Sequence, residues 1–186
     1  MTILGCITKY KASDIRPYVE SIEQTGFKGR KVMLVYDVPQ ETIDYLKSKG
    51  WDLFGGELQQ HIILQRFRDL YKILGSEIKG TVIWTDVKDV IFQKDPTDWI
   101  DLNMEEDILS FSECIKFKDD PWACVNAGTS FPMEWEWLQN ETSYCAGTIV
   151  GDACYLRDLF IDIYRWSMTS SNQEQLSDQA AYNVLI

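Results

Sequence analysis

The stretch that most constrains this chain is Thr81 to Pro96, reading TVIWTDVKDVIFQKDP. It opens with a β-branched and aromatic run, Thr81 to Trp84, bounded upstream by Gly80. A short unbroken apolar run of this kind is the pattern of a strand buried on both faces of a parallel sheet. The run stops at Asp86, and Asp89 follows three residues later. Carboxylates just past the end of a buried strand are costly unless something pairs with them. In open α/β sheets that edge is where ligands bind. Hard cations such as Mg²⁺ and Mn²⁺ take carboxylate oxygens and bring phosphate oxygens with them. The spacing admits two readings. Either Asp86 and Asp89 hold a divalent ion against a diphosphate, or Asp86 caps a short helical turn running through Val90, with Asp89 near its positive end. The strand leading in, and the Phe92-Gln93 and Asp95-Pro96 that follow, favour the metal site.

The rest of the chain supplies an alternating frame. Thr2 to Thr8 and Lys31 to Tyr36 read as buried strands, and Trp51 to Phe54 as a third, followed by a Gly55-Gly56 turn. Between them, Ser13 is a candidate N-cap with Pro17 in the first turn and Gly26 at the stop, and Pro39 opens a short helix closing near Gly50. Leu58 to Leu74 is the clearest helix, with Ile63, Phe67, Leu70, Tyr71 and Leu74 on one face and Gly75 as its end. Asp107 to Phe111 reads as a strand, and Pro121 to Asn140 as a loop plus a short helix. A strand then runs from Tyr144 through Val150. A long helix follows, striped by Leu156, Leu159, Phe160 and Ile163, and a last helix is capped by Ser177. Strands alternating with helices predict an α/β class with a central, mostly parallel sheet flanked by helices. The 186 residues are the length of one domain.

Bulk chemistry narrows the partners. The formal net charge is −11, which argues against nucleic acid or an anionic membrane bound through bulk charge. It also repels a nucleotide diphosphate, so binding one requires a bridging cation or well-placed Arg and Lys side chains. The five cysteines are odd in number and form no CxxC pair; with a single histidine, that argues against a zinc site. Three of them sit among apolar neighbours and read as buried thiols of a reducing compartment. The N-terminal apolar run has no charged leader and is too short for a signal peptide or a membrane span, which points to a cytoplasmic protein without membrane insertion. Seven Trp, nine Tyr and eight Phe are many for this length, and some of those rings suit the walls of a sugar or base site.

Taken in order, the residues resemble a known family. A hydrophobic strand, then Asp-x-x-Asp-Val-Ile-Phe-Gln, then Asp-Pro, is similar to the metal-binding motif of the GT-A (Rossmann-like) nucleotide-diphospho-sugar transferases, many of which carry Asp-x-Asp. Arg66-Phe67 on the preceding helix, Tyr144-Cys145-Ala146-Gly147-Thr148, and Ser177-Asp178-Gln179 match three further family features in the family's order. The chain also resembles the N-terminal glycosyltransferase domain of a multidomain capsid-glycosylating protein of large algal viruses (chloroviruses). On that resemblance residues 1–186 form one domain, the N-terminal part of a longer protein acting in the host cytoplasm. Two departures stand out. Cys145 occupies a position where the family often has Asn. The family commonly uses a late His as a third metal ligand, whereas the only histidine here, His61, precedes the motif. The third ligand is then a carboxylate or water, or lies beyond the chain.

The resemblance implies a metal-dependent glycosyltransferase that moves a hexose or 6-deoxyhexose, of glucose or rhamnose type, from a UDP-sugar to a glycan acceptor, with Mn²⁺ or Mg²⁺ as cofactor and a leaning toward retention. A divalent ion offsets charge on the departing diphosphate. Asp89 is the primary metal ligand, and Asp86 meets the metal or the ribose. Thr8, Lys9, Tyr10 and Asp37 take the nucleoside, with Tyr10 able to stack on the base; the plain alternatives are a surface-loop aromatic for Tyr10 and a turn before Pro39 for Asp37. Arg66 holds the anion or orients Asp86; its plain alternative is a solvated helix residue. Lys88 meets phosphate or faces solvent. Ala146 and Gly147 let the sugar approach bare backbone. Asp178 is the acceptor-side carboxylate, acting as a general base in an inverting enzyme, or stabilising the anomeric centre or holding the sugar in a retaining one; its plain alternative is a helix N-terminal carboxylate beside Ser177. Trp122, Trp135 and Trp137 wall the acceptor site or, for at least two of them, pack in the core. Other classes fit less well. A haloacid-dehalogenase phosphatase needs Asp-x-Asp on the first strand, and a nucleotidyltransferase needs a glycine-rich loop that ITKYKASD lacks. A non-catalytic nucleotide-sugar or carbohydrate binding module fits the same residues and differs only in lacking donor turnover.

Overall fold

The computed structural model describes residues 1–170 and 177–186. Six strands form one sheet: β1 Thr2–Thr8, β2 Arg30–Tyr36, β3 Asp52–Gly55, β4 Thr81–Thr85, β5 Ile108–Lys116 and β6 Thr142–Asp152. Their spatial order is β3-β2-β1-β4-β6-β5. The first four run parallel, with Thr8 beside Tyr36 and Leu4 beside Trp84. β6 enters antiparallel between β4 and β5. The expected mostly parallel α/β sheet is present.

Strand alternation divides the core in two. On one face Leu4, Leu34, Val82 and Trp84 meet helix α3 (Ile62–Ile73), helix α7 (Ala153–Thr169) and helix α8 (Asp178–Leu185). On the other, Ile3, Ile7, Met33 and Ile83 pack with helix α1 (Ala12–Thr25), whose Ile15, Tyr18, Val19 and Ile22 recur at helical spacing. Helix α2 (Gln40–Ser48) adds Leu46 to this side, and helix α4 (Thr97–Asn103) adds Ile100. Trp84, Phe67 and Phe160 form a triangle of rings with centroids 5.2 to 6.0 Å apart, which ties β4 to α3 and α7.

Several local expectations are corrected. Lys11, not Ser13, holds the N-cap of α1, because the Asp14 carboxylate accepts from the Lys11 N–H at 2.9 Å. Pro17 consequently falls in the second turn. Helix α3 begins at Ile62 rather than Leu58. The buried Gln65 amide takes the N–H groups of Gln59 and Gln60 and donates to the Glu57 carbonyl, so residues 57–60 spend their backbone groups outside a helix. Tyr71 is exposed, and the buried face of α3 centres on Arg66, Phe67 and Leu70. Pro121–Asn140 forms two helices, α5 Pro121–Ser130 and α6 Trp135–Leu138. Trp122 and Trp137 are about half exposed, so of the three tryptophans only Trp135 packs on the core. None of the cysteines is fully buried: Cys114 and Cys154 are exposed, the other three half-buried, and all five are free. Among the described residues no helix is long and apolar enough to cross a membrane.

Candidate functional site

Parallel strands expose their C-terminal ends on one edge of the sheet, and β1 and β4 stop side by side there. A cavity of about 220 Å³ opens at this edge. Cys6, Thr8 and Tyr10 line it from β1 and its continuation; Cys6 and Thr8 share a face because strand side chains alternate. Ile62, Ile63 and Arg66 come from the start of α3, and Asp86 to Asp89 close it from beyond β4. The sequence does not mark Cys6, Ile62, Ile63 or Val87 as cavity residues, although Ile63 falls on the apolar face of its helix and the step of two from Thr8 points to Cys6.

Asp86 is not a helix cap. Residues 86–96 contain no helix, and the next one begins at Thr97. The Asp86 N–H instead extends the β4–β6 ladder by donating to the Gly147 carbonyl at 2.7 Å, which fixes the carboxylate at the sheet edge. Its Oδ1 accepts from an Arg66 terminal nitrogen at 2.8 Å. The other terminal nitrogen of Arg66 donates to Asp178 Oδ2 at 2.6 Å. One guanidinium thus joins a residue of α3, the end of β4 and the first residue of α8. Arg66 is buried, and its planar head lies 5.2 Å from the centroid of the Trp84 ring and 5.0 Å from that of Phe67. It is not a solvated helix residue. Burial works against its charge, but the two carboxylates more than offset this and raise its pKa above the ordinary value. Burial likewise pushes the Asp86 carboxyl upward, with Arg66 pulling the other way. The Tyr10 phenol is raised by burial and then by Asp86 and Asp89, which puts all three in one electrostatic neighbourhood.

Gly147 is required by a close approach. A Cβ built there would sit 2.6 Å from Asp86 Oδ2. Its smallness makes room for the carboxylate rather than directly for a ligand. Ala146 is buried, does not line the cavity, and accepts the Trp84 indole N–H at 3.1 Å. Asp37 and Lys9 are exposed and also lie outside the lining. Both have left-handed backbone, φ of 50° and 57°, at the ends of the paired strands β2 and β1. Such conformations cost of order 1–3 kcal/mol and cluster at functional edges. Asp89 and Lys88 are exposed on the cavity wall. Ser177 occupies the N-cap of α8 without making a side-chain cap bond. Gln179, next to Asp178, donates to Glu113 at 3.0 Å and to Ser143 Oγ at 3.3 Å.

Among the described residues no three His, Cys, Asp or Glu side chains come together as a ready-made metal cage. Two carboxylates on one cavity wall still suit Mg²⁺ or Mn²⁺, since such ions are commonly held by one or two carboxylates with water and phosphate oxygens completing the shell. Asp89 and the Asp86 oxygen turned from Arg66 are the donors available. Two buried polar atoms of the lining, Thr8 Oγ1 and Arg66 Nε, have no hydrogen-bond partner among the described residues. Buried polar atoms normally find a partner, so these two are places where a water or a polar ligand could bind.

No protein-family model matches the sequence, and no curated protein matches it. Solved structures match the fold. An active-site Gln-to-Glu mutant of LgtC superposes with a TM-score of 0.66 at 17% identity, covering all of this chain and 70% of that one. The galactosyltransferase LgtC in complex with donor and acceptor sugar analogs gives 0.65 at 16% identity, with the same coverage. The chain therefore has the GT-A glycosyltransferase fold.

Proposed function

We propose that this chain is a metal-dependent glycosyltransferase that moves a hexose or 6-deoxyhexose from a UDP-sugar to a glycan acceptor. The observation that carries the reading is the Arg66 bridge. It gathers Asp86 and Asp178 beside a cavity at the ends of β1 and β4, on a fold shared with LgtC, which has been solved with donor and acceptor sugar analogs. In this reading Thr8 and Tyr10 receive the nucleoside from the β1 side. Lys9 and Asp37 stand at the outer rim. Asp86 and Asp89 hold the divalent ion, which supplies Lewis-acid stabilisation of the departing diphosphate.

The geometry favours Asp178 as a group that orients the donor sugar. Its Oδ2 already takes a guanidinium hydrogen at 2.6 Å and its side chain is 7% exposed, a poor position for collecting a proton from an acceptor hydroxyl. That assignment agrees with the leaning toward retention. LgtC has an active-site glutamine, and Gln179, next to Asp178, is the candidate for that place here. The acceptor in this reading is a glycan, carried on a capsid protein if the likeness to the algal-virus enzyme extends to its substrate.

A thermal-shift panel of UDP-, GDP- and dTDP-sugars with and without Mn²⁺ tests the reading. Ligands that bind only the native state raise its melting temperature by mass action. A UDP-sugar shift that depends on Mn²⁺, with slow release of UDP, is the expected result. A shift without any UDP release would make the chain a binding module, and no shift with any of the three would refute the assignment.

A further inference from the structure

The electrostatics of this cavity are unbalanced for the ligand assigned to it. Asp86, Asp89 and Asp178 set three carboxylates against the two cations Arg66 and Lys88, on a chain of net charge −11. A diphosphate adds negative charge with each phosphate. Arg66 contributes little toward it, because both terminal nitrogens are already committed to Asp86 and Asp178. The metal has only two carboxylates, one of them shared with Arg66.

Lys88 is the cation left over. It lies between the two aspartates on the cavity wall, exposed, in a stretch that is neither helix nor strand. It makes no ion pair with any described residue, although Asp86 and Asp89 are both close in sequence. An ammonium on a four-carbon stem is a mobile point charge with three donors, suited to phosphate oxygens in several orientations. Resting on the donor-site reading above, we propose that Lys88 binds the diphosphate of the donor. It supplies the second positive charge beside a metal that the chain holds with only two side chains. Asp86 and Asp89 then serve the ion, while the residue between them serves the leaving group. The binding of a nucleoside diphosphate accordingly keeps a metal-independent part that belongs to Lys88.

The test is calorimetric titration of uridine, UMP and UDP into wild type, Lys88→Met, Lys88→Arg and Lys94→Met, each with Mn²⁺ and with EDTA. Lys94 is an exposed lysine outside this cavity, so its variant reproduces the change in net charge elsewhere. The expected result is a roughly tenfold loss of UDP affinity in Lys88→Met with Mn²⁺ present, the loss for one charge-assisted contact. Residual binding in EDTA should disappear, uridine affinity should not change, and Lys88→Arg should recover most of the loss. UDP binding by Lys88→Met equal to wild type overturns the proposal while leaving the donor site intact. An equal loss in Lys94→Met also overturns it, because the effect would then be a bulk field. Failure of wild type to bind UDP with or without Mn²⁺ overturns the donor-site reading and this proposal together.

Discussion

Replacing Arg66 by Met isolates the value of the bridge. Methionine keeps an unbranched apolar body against Trp84 and Phe67 and deletes the charge. What remains is Asp178, with a side chain 7% exposed and no guanidinium. Breaking a buried pair from one side costs about 3–5 kcal/mol, because the surviving charge is left in a poor solvent. The Asp86 half adds little, since that side chain is 41% exposed and water screens it. For a domain of this size about 2–4 °C of melting temperature goes with each kcal/mol, so a drop of roughly 6–20 °C is expected. Thermal unfolding measures the drop and urea unfolding the free-energy loss, both followed by tryptophan fluorescence with Trp84 as a reporter inside the affected layer. Removing the stranded charge should return part of the loss: Arg66→Met/Asp178→Asn should be less destabilised than the two single variants combined, by about 1–3 kcal/mol. A variant within about 0.5 kcal/mol of wild type, the range of an ordinary surface change, would refute the argument, as would strict additivity in the double variant.

Three other outcomes follow from the same geometry. Gly147→Ala drives a Cβ to 2.6 Å from Asp86 Oδ2; a cost of about 1–3 kcal/mol is expected from overpacking, with a larger relative loss of Mn²⁺-dependent UDP binding, and unchanged affinity would count against Asp86 as a ligand. Asp89→Ala should abolish metal-dependent donor binding while leaving the melting temperature within about 2 °C, because Asp89 is exposed; binding that still depended on metal would remove Asp89 from the site. The Cys6 thiol is pushed by burial from 9.0 to about 12, so the native state holds its proton where the unfolded chain has lost it. Its stabilising contribution is complete below pH 9.0 and declines as pH rises toward about 12. Cys6→Ala should flatten the fall of stability over that interval, and an unaltered slope would assign the fall to other groups.

The sequence carried the frame and the ingredients of the site, and the reasons for its silences are physical. β1, β2 and β4 were legible because a strand buried on both faces needs an unbroken apolar run, and Asp86 stands out because it ends one. The direction of β6 was not legible. Nothing local distinguishes a parallel from an antiparallel strand, and β6 enters between β4 and β5 through pairings such as Trp84 with Ile149. The sequence offers Arg66 as a partner that orients Asp86, but gives Asp178 a separate, acceptor-side job. Their union spans 112 residues from Arg66 to Asp178, and only the docking of α8 against α7 and β6 creates it. Asn183 secures that docking, accepting from the Tyr144 N–H and donating to its carbonyl, both at 2.8 Å. The start of α3 was misplaced because propensity does not register one buried amide, Gln65, holding the backbone of residues 57–60. Gly147 shows the same limit from the other side. A small residue in this strand was expected to admit a sugar, whereas the space it leaves belongs to the Asp86 carboxylate. A glycine tells where room is needed, not what fills it, so the functional weight of this edge shifts from the bare β6 backbone to the carboxylate that Gly147 and Arg66 hold in place between them.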